Sequence, residues 1–133
     1  MASHSKGEKD VYDVNYYYIE GQKLFKLQRY EEALAACEAA IRLKPDNVWS
    51  YYNKSLALHC LGRHEEAVAA IEQAIHLDPD QAQFFFWKCG ALRALKRNTE
   101  ALAAYEQAVR LDPRYAPGIF PQPANMFERE AGE

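Results

Sequence analysis

The chain of 133 residues lacks the features of membrane, disulfide-rich and nucleic-acid-binding proteins. No apolar run approaches the roughly 20 residues that a membrane span needs, and residues 1–10 lack the apolar core of a secretory signal. The three cysteines (Cys37, Cys60 and Cys89) are odd in number and show no paired Cys/His spacing, which argues against disulfides and a zinc site. A net charge of -3 gives no overall attraction to nucleic acid or to an anionic membrane. We therefore expect a cytoplasmic protein without metal or cofactor.

No set of catalytic residues is recognisable either. The chain has no glycine-rich phosphate loop and no HExxH helix, and His59, His64 and His76 have no serine, cysteine and acid in a known catalytic arrangement. His64 stands at a turn and is interpreted as a solvated histidine rather than a ligand. Cys60 follows His59, but neighbours on a helix point about 100° apart, so a reactive pair is not expected. The sequence thus predicts a protein that is not an enzyme.

What the chain does have is a repeat of 34 residues, marked by Pro45, Pro79 and Pro113. Alanines and leucines keep the same step, at Ala33, Ala67 and Ala101, at Ala40, Ala74 and Ala108, and at Leu27, Leu61 and Leu95. A fixed period of this length is typical of stacked helical repeats. The repeat predicts three units, at residues 14–47, 48–81 and 82–115.

Apolar residues within each unit recur at steps of three and four, which predicts helices and not strands. We expect first helices at 14–27, 48–61 and 82–95, and second helices at 31–43, 65–77 and 99–111. Asp46 and Asp80 follow the unit-ending prolines and are expected to be N-caps. Gly62 suits a left-handed turn between two helices, and Gln28 and Lys96 stand at that place in the other units.

These residues resemble the tetratricopeptide repeat pattern W-x2-L-G-x2-Y, followed by alanine, an aromatic residue and proline. The matching positions are Tyr17, Gly21, Leu24, Ala33, Cys37, Ala40 and Pro45; Tyr51, Ser55, Leu58, Ala67, Ile71, Ala74 and Pro79; and Phe85, Cys89, Leu92, Ala101, Tyr105, Ala108 and Pro113. The resemblance covers about three quarters of the chain. It implies an all-α solenoid of antiparallel helix pairs in a right-handed superhelix, in which small residues such as Gly21 and Ser55 face Ala33 and Ala67.

Such arrays hold an extended peptide or a partner helix on the concave surface lined by the first helices. Helical spacing places the following residues in this groove: Tyr18, Gln22, Phe25, Trp49, Tyr52, Asn53, Leu56, His59, Gln83, Phe86, Trp87 and Arg93. The groove is aromatic, and aromatic side chains are enriched at binding hot spots. We expect a protein-interaction module that binds an apolar peptide or helix, with the aromatic residues as anchors and Asn53 bonding the ligand backbone.

Some members of the family hold the acidic C-terminal tails of heat-shock chaperones with a clamp of lysines or arginines and asparagines. The corresponding positions here are Tyr18, Gln22, Asn53, Gln83 and Trp87, of which only Asn53 matches. A tyrosine or tryptophan does not replace a charge-assisted bond to a carboxylate. The sequence therefore predicts that such tails are not bound tightly.

The two ends differ from the repeat. Residues 1–13 are expected to be disordered, and residues 116–133 form a proline-containing tail whose apolar residues are Ile119, Phe120, Met126 and Phe127. This tail is either a loose end, a boundary inside a longer protein, or a segment that docks on the last helix pair or in a groove. The alternative function is a self-assembling scaffold, a homo-oligomer that forms through the uncapped last unit or the tail.

Overall fold

A computed structural model describes residues 13–117, and within this range all regular structure is helical. The helices are α1 (Val14–Lys26), α2 (Tyr30–Leu43), α3 (Val48–Cys60), α4 (His64–Leu77), α5 (Ala82–Ala94) and α6 (Asn98–Leu111), followed by a 3-10 turn at Pro113–Tyr115. Each predicted helix is present, with ends that differ by at most one residue. No helix among the described residues is long and apolar enough to cross a membrane. The predictions for residues 1–12 and 118–133 fall outside the described residues.

The described chain divides into two compact units, residues 13–79 and 80–117. In the first unit α1 packs on α2, α2 on α3 and α3 on α4, and α1 also contacts α3. In the second unit α5 packs on α6, and the 3-10 turn packs on α6. The predicted all-α fold built from successive helix pairs is confirmed.

The residues at the N-cap positions of α3 and α5 lie one position later in the chain than the predicted ones. Asn47, not Asp46, is the N-cap of α3, and its side-chain oxygen accepts a hydrogen bond of 3.2 Å from the backbone N–H of Trp49. Gln81, not Asp80, precedes α5. Asp46 and Asp80 were the wrong residues because the turn after each proline takes up one more residue before the chain enters the helix.

The second helices begin with a repeated ion pair instead of a capping side chain. The residues before α2, α4 and α6 are arginines, and none of them makes a side-chain cap. Each arginine pairs with a glutamate three residues on, as Arg29–Glu32 (2.5 Å), Arg63–Glu66 (2.7 Å) and Arg97–Glu100 (2.7 Å). The glutamates lie in the first turn, where the helix dipole favours negative charge.

The turns inside the helix pairs share one backbone conformation. Gly62 has a φ of 79°, and Gln28 and Lys96 have φ values of 62° and 64°. All three residues therefore lie in the left-handed region, as the sequence predicts for this position. For Gln28 and Lys96 this conformation carries a steric cost that glycine avoids.

Small residues form much of the core of the first unit. Ala33 and Leu34 of α2 pack with Ala57 and Leu58 of α3, and Ala67 of α4 joins the same cluster. Small side chains let the helix backbones approach closely, as in helix pairs generally. α1 also contacts α3, and the two helices share a pocket with α2.

Candidate functional site

In the first unit, α1, α2 and α3 together form a pocket of about 160 Å³, which we call the α1–α3 pocket. Its lining residues are Gly21, Gln22, Phe25, Lys26, Ala33, Cys37, Asn53 and Leu56. The structure therefore brings together four of the predicted groove residues: Gln22, Phe25, Asn53 and Leu56. The other four lining residues were not predicted as site residues.

The floor of the α1–α3 pocket is apolar. Ala33 and Cys37 come from the inner face of α2 and are 1% and 4% exposed. Burial, with a smaller contribution from Glu38, raises the pKa of the Cys37 thiol to about 12. The thiol is therefore neutral near neutral pH and behaves as a small apolar group. Gly21 adds no side chain, which leaves the space above Cys37 open.

Three polar side chains, those of Asn53, Gln22 and Lys26, also line this pocket. The side-chain Nδ2 of Asn53 is buried and has no hydrogen-bond partner among the described residues. The side-chain amide of Gln22 donates a hydrogen bond of 3.3 Å to the hydroxyl of Tyr18. Lys26, an exposed residue of α1, supplies the one cationic side chain of the lining. The pocket thus combines an apolar interior with one buried amide side chain, that of Asn53, in its lining.

Three further predicted groove residues of the first unit lie on α3 outside the pocket. Trp49 and Tyr52 are near the start of the helix, and His59 is near its end. Trp49 and Tyr52 meet edge to face, with ring centroids 5.5 Å apart, and both are half-buried. His59 lies against His64, with ring centroids 4.7 Å apart and 3.0 Å between the two Nδ1 atoms. Burial and then His64 hold the pKa of His59 below its usual value. His64 is half-buried in this contact, so its interpretation as a solvated turn histidine was wrong.

In the second unit, Phe86 packs within its own helix pair. Its ring centroid lies 4.8 Å from that of Tyr115 and 6.4 Å from that of Tyr105. The hydroxyl of Tyr105 donates a 2.7 Å hydrogen bond to the carbonyl oxygen of Tyr115, which ties the 3-10 turn to α6. Gln83 is exposed, and the last two predicted groove residues, Trp87 and Arg93, are half-buried.

Sequence reasoning missed residues of two kinds. Lys26 lies one helical turn after Gln22, so helical spacing could have placed it beside the groove. Ala33 was assigned to helix packing, and no pattern shows that a residue which packs two helices also forms a pocket floor, as Ala33 and Cys37 do. Tyr115 stands 34 residues after Gln81, one residue before the place where the next first helix would begin, but its contact with Phe86 has no sequence signal.

Helix pairs repeated at a fixed step define an α-helical repeat protein. A family model described as a tetratricopeptide repeat matches residues 52–116, and a second, described as a TPR repeat, matches residues 21–62. The chain belongs to the tetratricopeptide repeat family, as its resemblance to the repeat pattern predicted. No curated protein sequence matches the chain.

Solved structures share the fold. The TPR2B domain of yeast Sti1, solved as a complex with pHsp70, is 27% identical, with a TM-score of 0.74, over 76% of this chain and 81% of that chain. MamA is 24% identical with a TM-score of 0.73, over 77% of this chain but only 60% of MamA. The first TPR domain of human RPAP3 is also 24% identical, with a TM-score of 0.73, over 75% of this chain and 79% of that chain. At identities below 25% the likeness concerns the fold alone.

Proposed function

We propose that the chain is a non-catalytic protein-interaction module whose first unit binds a peptide at the α1–α3 pocket. The observation that carries this proposal is the pocket itself, in which an apolar floor lies beside a buried amide donor that has no partner within residues 13–117. Ligand sites in proteins are mostly apolar concavities with a few placed polar groups. The pocket has both features.

The size and lining of the pocket favour one bulky apolar side chain of the ligand. A pocket of about 160 Å³ is close to the roughly 150 Å³ cavity that accepts benzene in another protein. Phe25 and Leu56 give it apolar walls, and the neutral Cys37 gives it an apolar floor. A leucine, methionine or phenylalanine side chain would bury its surface there, and the burial would stabilise the complex.

The amide of Asn53 would fix the ligand's backbone. Its buried Nδ2 is a donor without a partner among the described residues, and a peptide carbonyl oxygen would satisfy it. A buried donor left without a partner costs free energy, so a bond to the ligand would contribute more than an exposed one. Gln22 stands beside this position with its side chain held by Tyr18.

Two of the similar structures were solved with chaperone peptides: Sti1 with pHsp70, and RPAP3 (Spaghetti) with the HSP90 peptide SRMEEVD. These ligands support a peptide partner for the present chain. We propose that its preferred ligand is not an acidic chaperone tail, because Tyr18, Gln22 and Asn53 bring no cation to the clamp positions of the first unit. Lys26 lines the pocket at a different position.

A peptide selected by display on the full chain would test the site. We expect Asn53→Ala to weaken its binding about tenfold, which corresponds to one hydrogen bond to the backbone. Phe25→Ala should weaken it at least as much, whereas Arg42→Ala, at an exposed position of α2 outside the pocket, should leave it unchanged. Equal binding by all three variants, or low-micromolar binding of a free EEVD peptide, would contradict the proposal.

The remaining groove residues stay predictions. They are Tyr18, Trp49, Tyr52, His59, Gln83, Phe86, Trp87 and Arg93. Phe86 has a packing partner in Tyr115, so its substitution would also affect stability. The cytoplasmic location likewise stays a prediction.

The second candidate function is self-assembly through the last helix pair. Leu34, Val68 and Leu102 occupy the same place in α2, α4 and α6, and their exposed fractions are 5%, 4% and 48%. In the first repeat this residue packs with Ala57 and Leu58 of the next helix pair. Leu102 therefore leaves open an apolar position that a second copy could cover. Light scattering should then show a mass that rises with concentration and that falls in Leu102→Lys; a constant monomer mass would exclude this function.

A further inference from the structure

The first two repeats fill one place in the fold with different aromatic pairs. In the first repeat, Phe25 near the end of α1 meets Tyr30 at the start of α2, with ring centroids 5.3 Å apart and an angle of 65° between the planes. In the second repeat, His59 and His64 stand at the same two positions, 34 residues later, at 4.7 Å and 61°. The Phe25–Tyr30 pair shows that this place can be packed without imidazole, and the third repeat has no ring at either position, since Arg93 and Asn98 stand there.

The imidazole pair adds two facing nitrogen atoms that the Phe25–Tyr30 pair lacks. The Nδ1 atoms of His59 and His64 are 3.0 Å apart, and both residues are half-buried. Metal–nitrogen distances of about 2.0–2.1 Å, with N–metal–N angles between the square-planar and the tetrahedral value, place two nitrogen ligands roughly 2.8–3.4 Å apart. We propose that His59 and His64 form a two-histidine binding site for a divalent first-row transition metal ion of the zinc and nickel class.

The chemistry of the pair suits such an ion. In the hydrogen-bonded pair, one Nδ1 donates its hydrogen to the other Nδ1. The donor ring must move this hydrogen to its Nε2 before the Nδ1 lone pairs of both rings can bind the metal. This change of tautomer releases no proton from the neutral pair. Imidazole is a good ligand for zinc, nickel and copper, and a poor one for calcium or magnesium.

The site would leave coordination positions open. Among residues 13–117 no group of three or more histidine, cysteine, aspartate and glutamate side chains is placed to hold a metal. Water would therefore complete the coordination, as it does where a metal site has few protein ligands. The two-histidine site is thus unlike the closed structural zinc sites that the cysteine spacing argued against.

Zinc titration of the full chain by calorimetry tests the proposal. The double variant His59→Phe/His64→Tyr reproduces the Phe25–Tyr30 pair of the first repeat, so it keeps the ring packing while it removes both ligands. We expect one Zn²⁺ to bind the parent chain and the double variant to bind at least about tenfold more weakly. Zn²⁺ should also raise the Tm of the parent chain and not that of the double variant, because an ion that binds the folded state stabilises it.

The other histidines provide the controls. His76 is exposed in α4, and His4 lies outside the described residues, so His4→Gln/His76→Gln should bind Zn²⁺ like the parent chain. Each single variant, His59→Phe and His64→Tyr, should lose most of the affinity, since a chelate needs both nitrogens. Equal Zn²⁺ binding by the parent and the double variant, loss in only one single variant, or no binding of Zn²⁺ or Ni²⁺ by the parent would overturn the proposal.

Discussion

The hydroxyl of Ser55 donates a 2.7 Å hydrogen bond to the main-chain carbonyl oxygen of Ala67, and both residues are 0% exposed. The bond joins α3 to α4 inside the first unit. The first repeat has Gly21 at the same place, where an added Cβ would lie 3.5 Å from the Sγ of Cys37 and 3.7 Å from the carbonyl oxygen of Ala33. The same position of the repeat thus provides a hydrogen bond in the second helix pair and leaves room for one methyl group in the first.

Removing the Ser55 hydroxyl should destabilise the chain. We expect Ser55→Ala to lower the free energy of unfolding by about 1 kcal/mol, because a buried hydrogen bond between two helices is lost. Ser50 is the matched control on the same helix, since its Oγ is buried without a hydrogen-bond partner among the described residues. Ser50→Ala should therefore be neutral or slightly stabilising. Denaturant unfolding measures both changes, and equal losses in the two variants would show that the Ser55 bond contributes nothing specific.

Adding a methyl group at Gly21 should stabilise the chain. The contacts of 3.5–3.7 Å that a Cβ would make are ordinary van der Waals distances, so Gly21→Ala meets no clash. Glycine inside a helix costs about 0.5–1 kcal/mol relative to alanine, and we expect a gain of that size in thermal or denaturant unfolding. The same change at Gly62, whose φ is 79°, should lower stability instead. A marked loss in Gly21→Ala would mean that α1 and α2 need a residue without a side chain there.

The sequence was sufficient to predict the helices because several independent signals recur at the same step. Apolar spacing and the prolines agree in each repeat, and Gly62 marks the turn in the second repeat. A fold whose local signals agree is well specified. The caps were less predictable. Asp46 and Asn47 are both good capping residues, and only the length of the turn after Pro45 decides that Asn47 caps α3.

The candidate site was predictable only in part. Helical spacing places Gln22, Phe25, Asn53 and Leu56 on facing surfaces, and in the structure these four residues line one pocket. Spacing does not show which packed residues leave empty space beside them, so it does not single out Cys37 as the pocket floor. Whether Phe86 faces a ligand or a neighbour depends on where Tyr115 lies, and this is set by the 3-10 turn after the last repeat.

Replacing Lys96 with glycine should stabilise the turn of the third repeat. Lys96 has a φ of 64°, a conformation that costs an L-residue about 1 kcal/mol or more, whereas glycine adopts it freely. The greater freedom of glycine in the unfolded chain offsets part of this gain, so we expect Lys96→Gly to raise the free energy of unfolding by roughly 0.5 kcal/mol. The control is Ala35→Gly, at an exposed position in the middle of α2, which should lower it by about 1 kcal/mol. A loss of stability in both variants would contradict the argument from the turn.

Native thiol reactivity should separate the three cysteines. Cys60 is exposed, whereas Cys37 and Cys89 are 4% and 0% exposed. Since the thiolate is the reactive form, the pKa of about 12 at Cys37 further suppresses its reaction near neutral pH. We expect a disulfide reagent such as dithiobisnitrobenzoate to modify one thiol of the folded chain quickly and all three after denaturation. Cys60→Ser should abolish the fast phase and leave two thiols in the denatured chain; a fast phase that persists in this variant would show that α2 or α5 opens without global unfolding.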